Sequence, residues 1–267
     1  MDNAFPRSVT FYGTGLIGSS FALALKQTIP GVRIFGIDSA DILNRARAVG
    51  ALDSTDAGSP EASDLVILSA PVGEILKLIG EMQPGNAIIL DVGSTKVDIC
   101  RKAEERRLPF VGGHPMTGSE RSGPEAASAN LFMGSRFFLC PVSSTPPDAV
   151  AKLEVMIRRI GALPHAIRPE NHDKIVAELS HLPQILSTAL ADYTGEQREF
   201  AGPGWKSVTR LAASPFHVWR DILLTSGSLP AELRAYIFRL HEILDALERK
   251  DLKQLEALFE RANRNIQ

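Results

Sequence analysis

The chain has 267 residues, enough for one large or two ordinary domains. Its 29 Lys and Arg stand against 31 Asp and Glu, a formal charge of −2 that excludes a field able to hold nucleic acid or a membrane surface. Cys100 and Cys140 have no CxxC or Cys/His companion and read as free thiols of a reducing compartment, so no metal is expected. Residues 1–8 lack the apolar run of a signal peptide, and no stretch approaches the roughly 20 apolar residues of a membrane span. A cytoplasmic protein is expected.

The first element is Val9-Thr10-Phe11-Tyr12, a β-rich run ending in Gly13-Thr14-Gly15-Leu16-Ile17-Gly18, with helical sequence over 19–25. Strand, glycine turn and helix together make G-x-G-x-x-G informative. Gly13 permits the tight turn, Gly15 lets backbone approach a pyrophosphate, and Gly18 lets the helix pack close to the strand. The anion is expected on the free N–H groups of the helix N-terminus, beside Leu16 and Ile17. A second strand over 32–37 ends at Asp38, placed to accept hydrogen bonds from an adenosine ribose and to repel a 2′-phosphate. NAD is therefore favoured over NADP.

The alternation continues. Residues 64–71 form a nearly continuous apolar strand, as one buried on both faces requires, with Ala70 and Pro71 at its cofactor-facing end. Further strands are predicted over 87–92, 109–111, 136–140 and 163–167, with helices over 97–107 and 148–160. This pattern predicts a doubly wound, mostly parallel sheet of Rossmann type, whose strand ends gather Asp38, Pro71, Ser94 and His114 on one rim. A single boundary is placed after residue 168, separating a dinucleotide-binding domain (1–168) from an all-α domain (169–267).

The stretch Gly112-Gly113-His114-Pro115-Met116-Thr117-Gly118-Ser119-Glu120 follows the fifth strand as a loop. Its glycines are expected to admit a ligand and its proline to fix the following turn. Imidazole titrates near neutrality, which makes His114 the candidate base; a surface histidine on a tight turn is the plainer alternative. Ser94, in Asp91-Val92-Gly93-Ser94-Thr95-Lys96, can hydrogen-bond one ring nitrogen of His114 or cap a helix. Lys96 faces either cofactor phosphate or solvent.

The remainder reads as helical. Residues 174–194 are apolar at helical period with a kink at Pro183. Leu233, Ile237, Leu240, Leu244 and Leu247 form one stripe, and Asp251 with Gln254 fits a capping box. The stripe exceeds what so small a domain can bury, which predicts a helix-swapped homodimer. The glycine-rich turn Gly202-Pro203-Gly204 leads to Arg210, suited to bidentate carboxylate recognition. Trp219 either closes over an apolar ring or sits in the core.

Over nearly its whole length the chain resembles the prephenate/arogenate dehydrogenases. The motifs are Gly13-x-Gly15-Leu16-Ile17-Gly18, Asp91-x-x-Ser94-x-Lys96, Gly113-His114-Pro115-Met116-x-Gly118-x-Glu120, His172-Asp173, Ser180-His181-Leu182-Pro183 and Thr209-Arg210-Leu211-Ala212. The resemblance implies a cleft between a Rossmann domain and a helical dimerisation domain, prephenate or arogenate as substrate, and NAD as oxidant. It implies His114 as the acceptor for the substrate's 4-hydroxyl with Ser94 orienting it, and Arg210 on the ring carboxylate. Ser119 and Glu120 fall at the side-chain end of the pocket, Glu120 as a gate, and Asp173 reaches the partner subunit's site. Two positions depart from the family pattern: Gln184 where a second histidine is common, and Ser207 where an acidic residue is. Since the chain ends with the helical region, any inhibition by tyrosine is expected to be confined to the active site. Two other readings stay open, a redox-sensing NAD-binding protein without turnover and a β-hydroxyacid dehydrogenase with Lys174 as its lysine.

Overall fold

The structure, a computed structural model, describes residues 5–54, 60–118 and 121–266. Its first compact unit comprises 1–176 and 213–226, its second 177–212 and 227–267. The units therefore interleave in sequence, where the sequence reading places one boundary after residue 168.

The first unit holds a seven-stranded sheet: β1 (Ser8–Tyr12), β2 (Arg33–Ile37), β3 (Leu65–Leu68), β4 (Ile88–Asp91), β5 (Phe110–Pro115), β6 (Arg136–Pro141) and β7 (Leu163–Ala166). Their spatial order is β2-β1-β3-β4-β5-β6-β7, and every pairing is parallel except β5 with β6. The chain leaves β1 toward β2, then crosses back to β3 on the other side of β1. That reversal is the topological switch point at which doubly wound sheets bind ligands.

Helices cover both faces: α1 (Leu16–Thr28), α2 (Ala40–Ala48), α3 (Val72–Glu81), α4 (Val97–Glu105), α5 (Ala149–Arg159) and α6 (Pro169–Val176). Alternate strand residues feed two cores. Leu65, Ile67, Ile88 and Leu90 join one built around Phe11, Phe21, Phe132 and Phe137, whose rings meet at 5.2–6.1 Å. Val66, Leu68 and Ile89 join the other, with Ile75, Ile99 and Phe110. Each such aromatic or aliphatic side chain contributes roughly 1.5–3 kcal/mol by leaving water. Cys100 and Cys140 are buried free thiols in the second core, where burial pushes the Cys140 thiol up to about 12.

In the chain that follows, α6 does not continue through a kink at Pro183. It gives way to a π-helical turn, Ala177–His181, and a new helix, α7 (Leu182–Thr194), opens with Pro183 in its first turn, where its missing N–H is no loss. Next come α8 (Pro203–Val208), α9 (Phe216–Thr225), α10 (Leu229–Glu248) and α11 (Leu252–Asn265). Asp251 caps α11 as expected, its Oδ1 accepting from the Gln254 N–H at 3.0 Å. The described apolar residues fully buried in the second unit are only Ala177, Leu229 and Ala246, whereas Ile237, Leu240, Leu244 and Leu247 are 44–56% exposed. No helix among the described residues is long and apolar enough to cross a membrane.

Candidate active site

Because β1 to β5 run parallel, Gly13, Asp38, Ala70, Ser94 and His114 all fall at one edge of the sheet. The glycine turn is shaped by what its missing side chains would strike. Gly13 has φ +89°, and a Cβ there would lie 2.5 Å from the Ser69 carbonyl oxygen at the end of β3. On Gly18 it would lie 2.3 Å from the Gly13 carbonyl oxygen. A Cβ on Gly15 meets nothing within 4 Å. Gly15 heads α1 with no side-chain cap and no acidic residue in the first turn, and Leu16 and Ile17 are half-buried. An open side and uncapped N–H groups suit a pyrophosphate. Asp38 stands exposed at the end of β2, its Oδ2 accepting from the Thr14 N–H at 2.8 Å and its Oδ1 from the Ser39 N–H at 2.7 Å. The Rossmann edge thus fits a dinucleotide, with the turn for phosphates, Asp38 for a ribose, and Ala70 and Pro71 beside the turn ahead of α3.

His114 lies on β5 itself, paired across from Phe138, and not in a loop beyond it. Its glycines serve packing instead of ligand approach: a Cβ on Gly112 would sit 2.7 Å from the Cys100 thiol, and on Gly113 2.3 Å from the Asp91 carbonyl oxygen. The Asp91 carboxylate accepts from the Gly113 N–H at 3.0 Å and the Gly93 N–H at 2.8 Å, and it is ion-paired to Lys96. Both charged side chains are wholly buried. Burial pushes the Asp91 carboxyl up, opposed by Lys96 and these N–H groups. Lys96 therefore meets neither phosphate nor solvent. It neutralises the carboxylate that fastens β5 to β4.

The His114 ring is held by a partner other than the expected one. Its Nδ1 lies 2.9 Å from Nε2 of His172, and Nδ1 of His172 lies 2.8 Å from the Asp173 carboxylate. Asp173 also accepts from the N–H groups of Lys96 (2.7 Å) and Val97 (3.0 Å), so it caps α4 from outside the helix. At 3% exposure Asp173 is committed inside its own unit, which corrects the expectation that it reaches a partner subunit. Ser94 is half-buried in the turn ahead of α4; it is neither that helix's cap nor the group that fixes Nδ1 of His114. Burial lowers the His172 pKa, against the opposing pull of Asp173.

α9 returns to this edge. Asp221 Oδ2 accepts from the Gly73 N–H at 3.1 Å, capping α3, and Thr225 pairs with Thr95 at 2.8 Å. Arg220 holds the Asp221 carboxyl below its ordinary value. Trp219 is half-buried on this helix.

In the second unit, Arg210 is exposed and follows α8, not a glycine-rich turn: Gly202 and Pro203 start a helix, with the cap and first position those residues favour. The turn Arg210–Ala213 is tied to α7. Gln184 Nε2 donates to the Leu211 carbonyl at 2.9 Å, and the Ala212 N–H donates to Ser187 Oγ at 3.0 Å. Gln184, buried at 5% exposure, spends its amide N–H on this turn, while its Oε1 has no partner among the described residues. Ser119 and Glu120 lie outside the described residues.

Sequence reasoning missed the histidine behind His114. The signal was the dipeptide His172-Asp173, which the family motif contains without saying what the imidazole touches.

Comparison with known proteins shows the family. Residues 21–164 match the family described as "Prephenate dehydrogenase, nucleotide-binding domain", and residues 168–261 match "Prephenate dehydrogenase, dimerization domain". A prephenate dehydrogenase of Bacillus subtilis is 34% identical over 97% of this chain and 75% of its own length. Among solved structures, prephenate dehydrogenase from A. aeolicus in complex with hydroxyphenyl propionate and NAD+ superposes with a TM-score of 0.87 at 27% identity, covering 97% of each chain. Synechocystis arogenate dehydrogenase superposes at 0.82 with 25% identity, covering 97% of this chain and 98% of the other.

Proposed function

The chain belongs to the prephenate dehydrogenase family and is an NAD-dependent oxidoreductase, and on that premise we propose that it converts prephenate to 4-hydroxyphenylpyruvate with His114 as the base. The observation that carries this reading is the placement of His114 on the sheet edge that also carries the glycine turn and Asp38, with its Nδ1 already occupied. When bound, NAD accepts the hydride that leaves C4 of the substrate ring.

The protein's own groups do the rest. His114 Nε2 draws the proton from the C4 hydroxyl as the carbonyl forms. The ring carboxylate opposite C4 then departs as carbon dioxide, and aromatisation makes the sequence irreversible. A positioned base of this kind supplies about 10²–10⁴-fold, and alignment of the reacting groups supplies much of the remainder. Arg210 holds the ring carboxylate, its turn fixed by Gln184 and Ser187. Ser94 meets the C4 oxygen beside His114 Nε2, Trp219 closes over the ring, and Ser119 and Glu120 meet the substrate's side chain. Asp38 selects NAD by repelling a 2′-phosphate.

The exposed stripe on α10 packs against the same stripe of a second copy, making the protein a homodimer through its helical domain. Two buried free thiols support a cytoplasmic location. Arogenate is the second substrate to assay, given the likeness to the Synechocystis enzyme.

A spectrophotometric assay crossing prephenate and arogenate with NAD and NADP tests the reading. Prephenate with NAD is expected to give the highest kcat/KM. Absence of NADH formation with either acid contradicts the proposed activity.

A further inference from the structure

We infer that His172 is a positioning residue: with the Asp173 carboxylate behind it, it holds His114 in the tautomer protonated on Nδ1 and so leaves the lone pair on Nε2 to act as the base. The inference rests on the reading of His114 as the base and adds how the protein chooses which nitrogen does the work.

Donors and acceptors fix the tautomer. The contact from His172 Nδ1 to the Asp173 carboxylate is 2.8 Å, and a carboxylate only accepts, so that nitrogen carries a proton. A neutral His172 then has its lone pair on Nε2. This nitrogen lies 2.9 Å from Nδ1 of His114, which must therefore donate. A neutral His114 that donates from Nδ1 has its lone pair on Nε2, the nitrogen directed away from the relay. When His114 takes up the substrate's proton, its Nδ1–H bond to His172 persists, and the Asp173 charge lies behind it to support the cation. The logic is that of a carboxylate holding an imidazole in its working tautomer, with a second imidazole interposed.

The opposite state is readily defined. If His172 carried a proton on both nitrogens, His114 Nδ1 would have to accept, its own proton would move to Nε2, and the base would be gone. The surroundings disfavour that state. His172 has no exposed surface and rests edge-on against the Phe138 ring at 5.1 Å. The charged groups around it are Asp173 on its own helix, and Lys96 and Asp91 from the β4–α4 segment, with His114 from β5. Asp91 and Lys96 neutralise each other. The Asp173 carboxylate is fixed by two N–H groups of α4, so the relay ends on an anchored acceptor.

The test uses the full chain labelled with ¹⁵N-histidine, without substrate. The His114 signals are assigned by their loss in His114→Asn. The expected wild-type spectrum has Nδ1 of His114 protonated and Nε2 unprotonated at neutral pH. Asp173→Ala removes the acceptor of the His172 Nδ1 proton, and should let part of the His114 population move its proton to Nε2. Its kcat should fall by at least about tenfold with unchanged NAD affinity. His172→Leu should lower kcat likewise while keeping the cap on α4. His172→Gln, whose carbonyl can accept from Nδ1, should recover part of the loss and shift the pH profile of kcat/KM less than His172→Leu does.

A wild-type His114 protonated on Nε2 overturns the inference, even where a variant fails to fold. So does an Asp173→Ala spectrum identical to the wild type. Because the tautomer is read without turnover, failure of the relay and failure of His114 as base give different results.

Discussion

Two helix N-termini on the same edge of the sheet are treated in opposite ways. α1 begins at Gly15 with no side-chain cap, no acidic residue in its first turn and open space where a side chain would be. α4 begins under the Asp173 carboxylate, brought in from α6. Both termini present unsatisfied N–H groups and the positive end of a helix dipole. The first leaves them open, a setting that suits a phosphate; the second spends them internally, and the carboxylate it captures is the one that reaches His114 through His172. The contrast teaches that the cofactor corner is incomplete by itself, whereas the histidine corner is assembled before any ligand arrives.

The largest way to break the contrast is to unbalance the closed corner. Lys96→Met strands the buried Asp91 carboxylate and should cost about 3–5 kcal/mol, read as a lower urea midpoint. Adding Asp91→Asn to it should return part of the loss. In the open corner the effects separate by glycine. Gly13→Ala combines φ +89° with a Cβ 2.5 Å from a fixed carbonyl, and should cost roughly 1–3 kcal/mol of stability. Gly15→Val, where a side chain meets open space, should cost less stability than Gly13→Ala and weaken NAD binding, as measured by calorimetry. The third contrast is α11, whose cap Asp251 comes from the surface and its own chain. Asp251→Ala should cost about 1 kcal/mol without changing kcat, whereas Asp173→Ala should reduce both stability and kcat.

The most graded prediction concerns pH. Burial keeps His172 neutral in the fold, so as pH drops below the ordinary imidazole value of about 6.5 the unfolded chain takes up a proton that the folded one refuses. Stability should fall with decreasing pH in that range, and His172→Leu should flatten the slope in a pH series of urea titrations.

Much of the first unit was legible because one local rule sufficed for each element. Apolar runs such as Leu65-Val66-Ile67-Leu68 are strands wherever helices cover both faces, and the turn after β1 needs its glycines for reasons visible in the motif. The capping of α11 was legible too, because cap and helix are three residues apart. What escaped was non-local. Lys96 looks like a solvent or phosphate cation until β5 brings Gly113 over the carboxylate it balances. Asp173 looks like a surface residue until α6 lays it on α4, 76 positions away from Val97. Gly112 and Gly113 suggest a ligand loop by type, and only the packing of Cys100 and Asp91 makes them strand residues. At Arg210 the motif gave the residue, whereas its setting after α8 followed from a proline read as a turn signal where it begins a helix.

The measurement that bears most directly on the central claim is turnover of prephenate with NAD by His114→Asn, followed as NADH formation alongside NAD affinity. If His114 is the base, kcat/KM falls by about 10²–10⁴-fold while NAD binds as tightly as to the wild type. Turnover within about tenfold of the wild type, only about 1.4 kcal/mol of transition-state stabilisation, would mean that this imidazole is not the base.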